Sequence, residues 1–150
     1  MTQRASPAAV FGDFNSKTVS FGGTKFELSR HGDEFWAKVT TRPVGETQPQ
    51  TIEAPVALVT GSHHMQAYWV QGSKGNQLYK FPWMYVIDDQ RWVADEDAFL
   101  QPPDLGPKRS LVWNRTCIKC HAQGGRPGYD EHSDVFTSEV TELGITCASC

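Results

Sequence analysis

The sequence predicts a mainly β fold, in which a small antiparallel β-rich domain over residues 1–100 precedes an irregular, helix-poor segment over 101–150. Three observations predict it. Short runs of alternating apolar and polar residues recur through the first hundred positions, each bounded by turn residues. Glycine (13) and proline (9) are frequent enough to favour turns and short strands over long helices. All four cysteines fall within residues 108–150, a stretch with few aliphatic side chains.

Residues 1–9 form a polar lead-in. Thr18–Phe21 is a first extended run ending at Gly22-Gly23, and Lys25–Ser29 alternates up to the turn Arg30-His31-Gly32-Asp33. Glu34–Thr40 alternates again, with Phe35, Ala37 and Val39 on one face and Trp36 and Lys38 on the other. Two alternating runs about a Gly-Asp turn predict a hairpin. A Pro-rich polar loop follows at 42–50. Ile52–Thr60 and Met65–Gln71 are apolar runs on either side of Gly61-Ser62-His63-His64. Gly72–Gly75 makes the next tip, then come Leu78–Phe81, Met84–Ile87, the turn Asp88-Asp89-Gln90 and the short run Arg91–Val93. Tyr68, Trp69, Trp83, Tyr85 and Trp92 are the expected sheet core. Gln101–Pro107, with three prolines, marks a boundary.

Composition excludes some functions. The net charge of −3 comes with no basic stripe, so nucleic acid is not an expected partner. No run approaches the 18 apolar residues of a membrane-spanning helix. Asp88, Asp89, Asp95, Glu96 and Asp97 are acidic neighbours, read as a solvated turn and loop, with a docking face for a basic redox partner as the weaker alternative. The forty-odd residues after the boundary hold too few aliphatic side chains for a core of their own. They need a staple or a neighbour to pack on.

Cys117-Ile118-Lys119-Cys120-His121 is the chemistry-bearing motif, and it has the form of a c-type haem attachment site. Two intervening residues let one chain turn bring both thiols to the vinyl-bearing edge of a porphyrin, and the following His can bind iron axially. Other readings of the cysteines stay open. Cys117, Cys120, Cys147 and Cys150 are a possible four-cysteine zinc set, but the 26 residues between the pairs exceed the usual spacing of about 15–20. Zinc would also leave His121 without a role. A disulfide or an iron–sulfur cluster is the remaining option.

The residues around the motif resemble the multihaem cytochrome c family, including members that carry tetratricopeptide repeats. The likeness rests on Leu111-Val-Trp-Asn-Arg-Thr-Cys-Ile-Lys-Cys-His-Ala122 and Thr141-Glu-Leu-Gly-Ile-Thr-Cys-Ala-Ser-Cys150. In that family a W-N-x-x-C-x-x-C-H segment is followed by E-x-G-[IV]-x-C-x-x-C-H-G. Upstream, Phe11-Gly-Asp-Phe14, the hairpin over 26–39, the stretch from Val59 to Val70 and Arg91-Trp-Val93 are similar to the β-rich segment between haem motifs. The resemblance implies covalent haem c on Cys117, Cys120 and His121, electron transfer as the function, and an exported, periplasmic setting. It implies partners among other redox proteins or other haem domains of one parent chain. It also implies a second attachment pair at Cys147 and Cys150, whose histidine would lie past Cys150. The expectation is therefore an internal fragment of a longer exported protein, with the second motif truncated.

An electron-transfer haem needs a sixth ligand, for which His132 and His64 lead, ahead of His63, His31 and Met65. Trp113, four residues before Cys117, is balanced between haem stacking and simple packing. An electron carrier is the favoured reading over an enzyme. The alternatives are a multihaem oxidoreductase acting on a small nitrogen or sulfur compound, and a zinc-stapled module.

Overall fold

The computed structural model describes residues 2–21, 24–41, 48–98 and 111–145. The fold is mainly β, antiparallel and poor in helix, as the alternation predicts. The strands are β1 (Thr2–Arg4), β2 (Lys17–Phe21), β3 (Thr24–His31), β4 (Glu34–Thr41), β5 (Gln50–Thr60), β6 (Met65–Gln71), β7 (Leu78–Val86) and β8 (Arg91–Ala94). Strands β2 to β8 pair in sequence order, and β1 adds to β5. A single helical turn, α1 (Asp95–Ala98), follows β8.

Alternation turns one row of side chains inward on each strand. Phe26 and Leu28 of β3 face Val39 and Ala37 of β4 in register. Although β3 and β7 are four places apart in pairing order, the Phe26 ring meets Phe81 edge-on at 5.4 Å. The sheet therefore curls until it is nearly closed. Phe14, from the segment between β1 and β2, plugs the interior and makes edge contacts with Phe35, Tyr68 and Trp92. Tyr68, Trp83 and Tyr85 are buried here and Trp92 packs against them, as expected of the aromatics. Trp69 is not among them. It lies in a second cluster with Leu58, Leu78, Trp113 and Ile118.

Two register shifts interrupt these strands, and the first brings Leu58 into the second cluster. One lies between Val56 and Leu58 of β5, the other between Ala67 and Trp69 of β6. A bulge adds a residue and resets which face the next side chain takes. Val56 and Val59 consequently point into the interior while Leu58 points out.

Two expectations change. The polar lead-in contains β1, which pairs Thr2, Gln3 and Arg4 with Thr60, Val59 and Leu58. Strand β4 pairs with β5 only over 50–55, and β1 takes the edge left open beyond it. Leu78–Phe81 and Met84–Ile87 do not form separate runs, since one strand spans Leu78–Val86 through Pro82. Pro82 is exposed and has no N–H to give. It sits at the β6 register shift, between the stretch of β7 that pairs with residues 111–113 and the stretch that pairs with β8.

A buried polar knot ties the residues before Phe14 to the sheet. Gln66, 1% exposed, accepts from the Phe11 N–H and the Tyr68 hydroxyl and donates to the carbonyls of Ala9 and Gly61. The Tyr68 oxygen in turn accepts from the Gly12 N–H. Burial holds the Tyr68 hydroxyl protonated far above its ordinary range. Gln66→Leu would remove all four bonds and take that partner from the Phe11 N–H, the Tyr68 hydroxyl and the carbonyls of Ala9 and Gly61. It should cost about 2–4 kcal/mol in urea unfolding with little change in m value, in line with several unmet buried groups.

Candidate functional site

The cysteine motif lies on the outer side of the curled sheet. Residues 111–113 run beside the first half of β7, with the Lys80 N–H donating to the Leu111 carbonyl and the Trp113 N–H to the Leu78 carbonyl, both at 2.9 Å. Asn114 fixes the join. It is 1% exposed, accepts from the Leu78 N–H at 2.7 Å, and donates to the Asn76 carbonyl and the Ser138 hydroxyl. One amide side chain thus holds the motif segment, the β6–β7 turn and residue 138 together.

After Asn114 the chain makes one helical turn, α2 (Ile118–His121), with the His121 N–H donating to the Cys117 carbonyl at 2.8 Å. Residues three and four apart share a helix face, so Cys117, Cys120 and His121 lie together. Ile118, three residues before His121, is fully buried in the cluster of Leu58, Trp69, Leu78 and Trp113, and Cys117 packs against the edge of that cluster. Burying Ile118 anchors the turn, on which Cys117 and His121 are half-buried and Cys120 is exposed. Both thiols are unbridged. Beyond the turn, β9 (Ala122–Gln123) pairs with β12 (Glu142–Leu143), and the Gly144 N–H donates to the His121 carbonyl.

The His121 ring is held at one nitrogen. Its Nδ1 lies 3.3 Å from Thr2 Oγ1, and Thr2 is 1% exposed. Thr2 Oγ1 lies 2.9 Å from Thr60 Oγ1, which accepts from the Trp69 indole N–H at 3.0 Å. A ring held at Nδ1 leaves Nε2 to bind a ligand. Thr2 could not be found from the sequence. It stands 119 positions from His121 in a three-residue polar strand, with no periodicity to mark it.

The other histidines are spread over the surface. His64, on the β5–β6 turn, is exposed and 3.4 Å from Asp88. This turn follows Thr60, so it lies at the same end of the sheet as His121. His132 is fully exposed, between β10 (Tyr129–Asp130) and β11 (Val135–Phe136), with its ring 3.7 Å from Asp130. That hairpin is clasped to the β6–β7 turn by Lys74–Asp134 and by the Asn76 N–H to the Phe136 carbonyl. The two turns lie at opposite ends of β6, roughly 20 Å apart at about 3.3 Å per residue. His63 bonds with its neighbour Ser62, and His31 stacks on Trp36. The structure brings none of these together with His121 by any recorded contact among the described residues. Cys147 and Cys150 lie outside the described residues.

Trp113 is covered by protein in the second cluster, which fits packing and leaves no ring face open for stacking. The acidic neighbours divide into local pairs, Asp88 with His64, Asp89 with Arg91 and Asp95 with Lys80. Among the described residues no group of three or more His, Cys, Asp or Glu is placed to hold a metal, and no helix is long and apolar enough to cross a membrane. Comparison with family models, curated proteins and solved structures gave no match.

The role of Asn114 has a direct test. Asn114→Leu keeps the branched shape but strands the Leu78 N–H, and it should destabilise by about 2–3 kcal/mol. Amide exchange in 111–145 should accelerate before exchange in β3 and β4, since the strap loosens while the sheet interior is untouched.

Proposed function

We propose that the protein carries haem c and passes electrons. Cys117 and Cys120 are its thioether anchors and His121 its proximal iron ligand. What supports this is the C-x-x-C-H spacing on a single helical turn anchored by buried Ile118, with Cys120 and His121 three and four residues after Cys117. Each thiol adds across a vinyl group, sulfur bonding to one carbon and the thiol hydrogen going to the other. The bound group supplies an iron that cycles between ferric and ferrous states. The chain's own residues hold His121 at Nδ1, brace the turn through Ile118, and keep the outer cluster dry. Cys147 and Cys150 are the proposed second attachment pair. We place the protein outside the cytoplasm, where the thiols are matured, and give it other redox proteins or haem domains of the same parent chain as partners.

Produced with export and cytochrome maturation machinery, the protein should keep haem through denaturation and acid extraction, with a thioether-type pyridine haemochrome. Cys117→Ala with Cys120→Ala should lose covalent haem at that site, and His121→Ala should change the axial spectrum of whatever haem remains. Colourless protein holding stoichiometric zinc under those conditions would overturn the proposal. Reduced protein that takes up carbon monoxide rapidly would move the reading from carrier to oxidoreductase.

A further inference from the structure

Residues Trp69, Thr60 and Thr2 form a hydrogen-bonded line that ends at His121 Nδ1, with links of 3.0, 2.9 and 3.3 Å. We propose that Thr2 is the positioning residue that sets the tautomer of His121 and lowers the reduction potential of the iron it binds. The inference rests on the haem reading above and goes one step deeper into the same site.

Proton positions follow from valence. An indole N–H can only donate, so Thr60 Oγ1 accepts from Trp69. Iron at Nε2 takes the lone pair there, so the neutral imidazole keeps its proton on Nδ1. Nδ1–H then donates to Thr2 Oγ1. The Thr2 hydroxyl proton is left to donate onward to Thr60 Oγ1, whose two lone pairs are then filled by Thr2 and Trp69. A hydroxyl that donates becomes a better acceptor, so the line strengthens the bond to His121. Thr2 is buried, so water does not compete for the ring nitrogen from that side. Without iron the line can run the other way, with Thr2 donating to Nδ1 and the proton on Nε2. Iron binding therefore selects the direction of the two links between Thr60 and His121, while the Trp69 link is the same in both cases.

The electronic consequence has a sign. Drawing on Nδ1–H makes the imidazole a stronger donor to iron, which favours the ferric state and lowers the potential. No other polar contact to the His121 ring is recorded among the described residues, which puts this control on one hydroxyl.

Thr2→Val keeps the shape and removes the acceptor, while Thr2→Ser keeps the hydroxyl. Redox titration of the haem-loaded protein should show a higher midpoint potential for Thr2→Val and a near wild-type value for Thr2→Ser. Thr60→Val, which removes only the next link, should raise the potential by less. It also provides the reading if Thr2→Val proves too unstable to load. Haem-loaded Thr2→Val and Thr60→Val with wild-type potentials would overturn the inference and leave the haem reading standing. Failure of the wild type to take haem at all would instead remove the reading beneath it.

Discussion

Everything in this molecule depends on the middle strands burying both of their faces. A sheet that curls around its own core normally shows water its outer face, with polar side chains there. Strands β5, β6 and β7 do otherwise: Val59, Tyr68 and Phe81 fill the interior while Leu58, Trp69 and Leu78 form an apolar patch outside. The patch has room for Trp113 and Ile118, and Ile118 is what aims the cysteine turn. The fold and the candidate chemistry meet at this patch. Filling the outer positions with polar residues would leave the sheet interior intact and the motif segment with nothing to pack against.

Apolar burial alone does not select one docking pose. Direction comes from polar groups that have only one way to be satisfied. Asn114 uses its carbonyl oxygen and its amide nitrogen on three partners from different parts of the chain. Because each unmet buried group costs about 1–3 kcal/mol, a shifted pose loses several bonds at once. The threonine line to His121 works in the same way at the other end of the motif. Thr2 and Thr60 are paired residues of β1 and β5, so backbone register puts their hydroxyls in range. The motif segment sits close on the β6–β7 turn, where a Cβ on Gly75, already at φ +56°, would collide with the Phe136 carbonyl.

Period-2 patterning made the hairpins legible. Phe35, Ala37 and Val39 sort to one face in sequence and in structure, since β3 and β4 follow a regular register. Where the register slips, legibility ends. Nothing in Val56-Ala-Leu-Val59 announces that Leu58 will leave the interior, because a bulge is decided by the partner strand as much as by its own residues. Trp69 and Tyr68 are neighbours on β6, so alternation itself sends them to opposite faces, and the outer one is apolar because residues 111–118 cover it. Leu78–Phe81 and Met84–Ile87 read as separate runs, but a strand whose edge partner changes midway can hold Pro82, a residue without an N–H. Strand β1 was invisible because three residues carry too little pattern, and its formation depends on an open edge that only the assembled sheet provides. At the candidate site, Cys117, Cys120 and His121 were legible as a motif of fixed spacing. Ile118 and Thr2 were not, since one orients and the other bonds through tertiary contacts.

A segment poor in aliphatic residues poses the question of how it could hold a macrocycle with more apolar surface than any of its own side chains. Building a separate core is one solution, and the described residues 111–145 have not taken it. Leu58, Trp69 and Leu78, all from the sheet, supply much of the apolar cluster on which the motif rests. A group tethered at Cys117 and Cys120 would be held by covalent bonds, so its retention would not depend on how deeply it is covered. Potential is then left to what touches the iron ligand. On this reading the sheet does two separable things: through Leu58, Trp69 and Leu78 it gives the turn a place to sit, and through Thr60 and Thr2 it reaches the one ring nitrogen that iron leaves free.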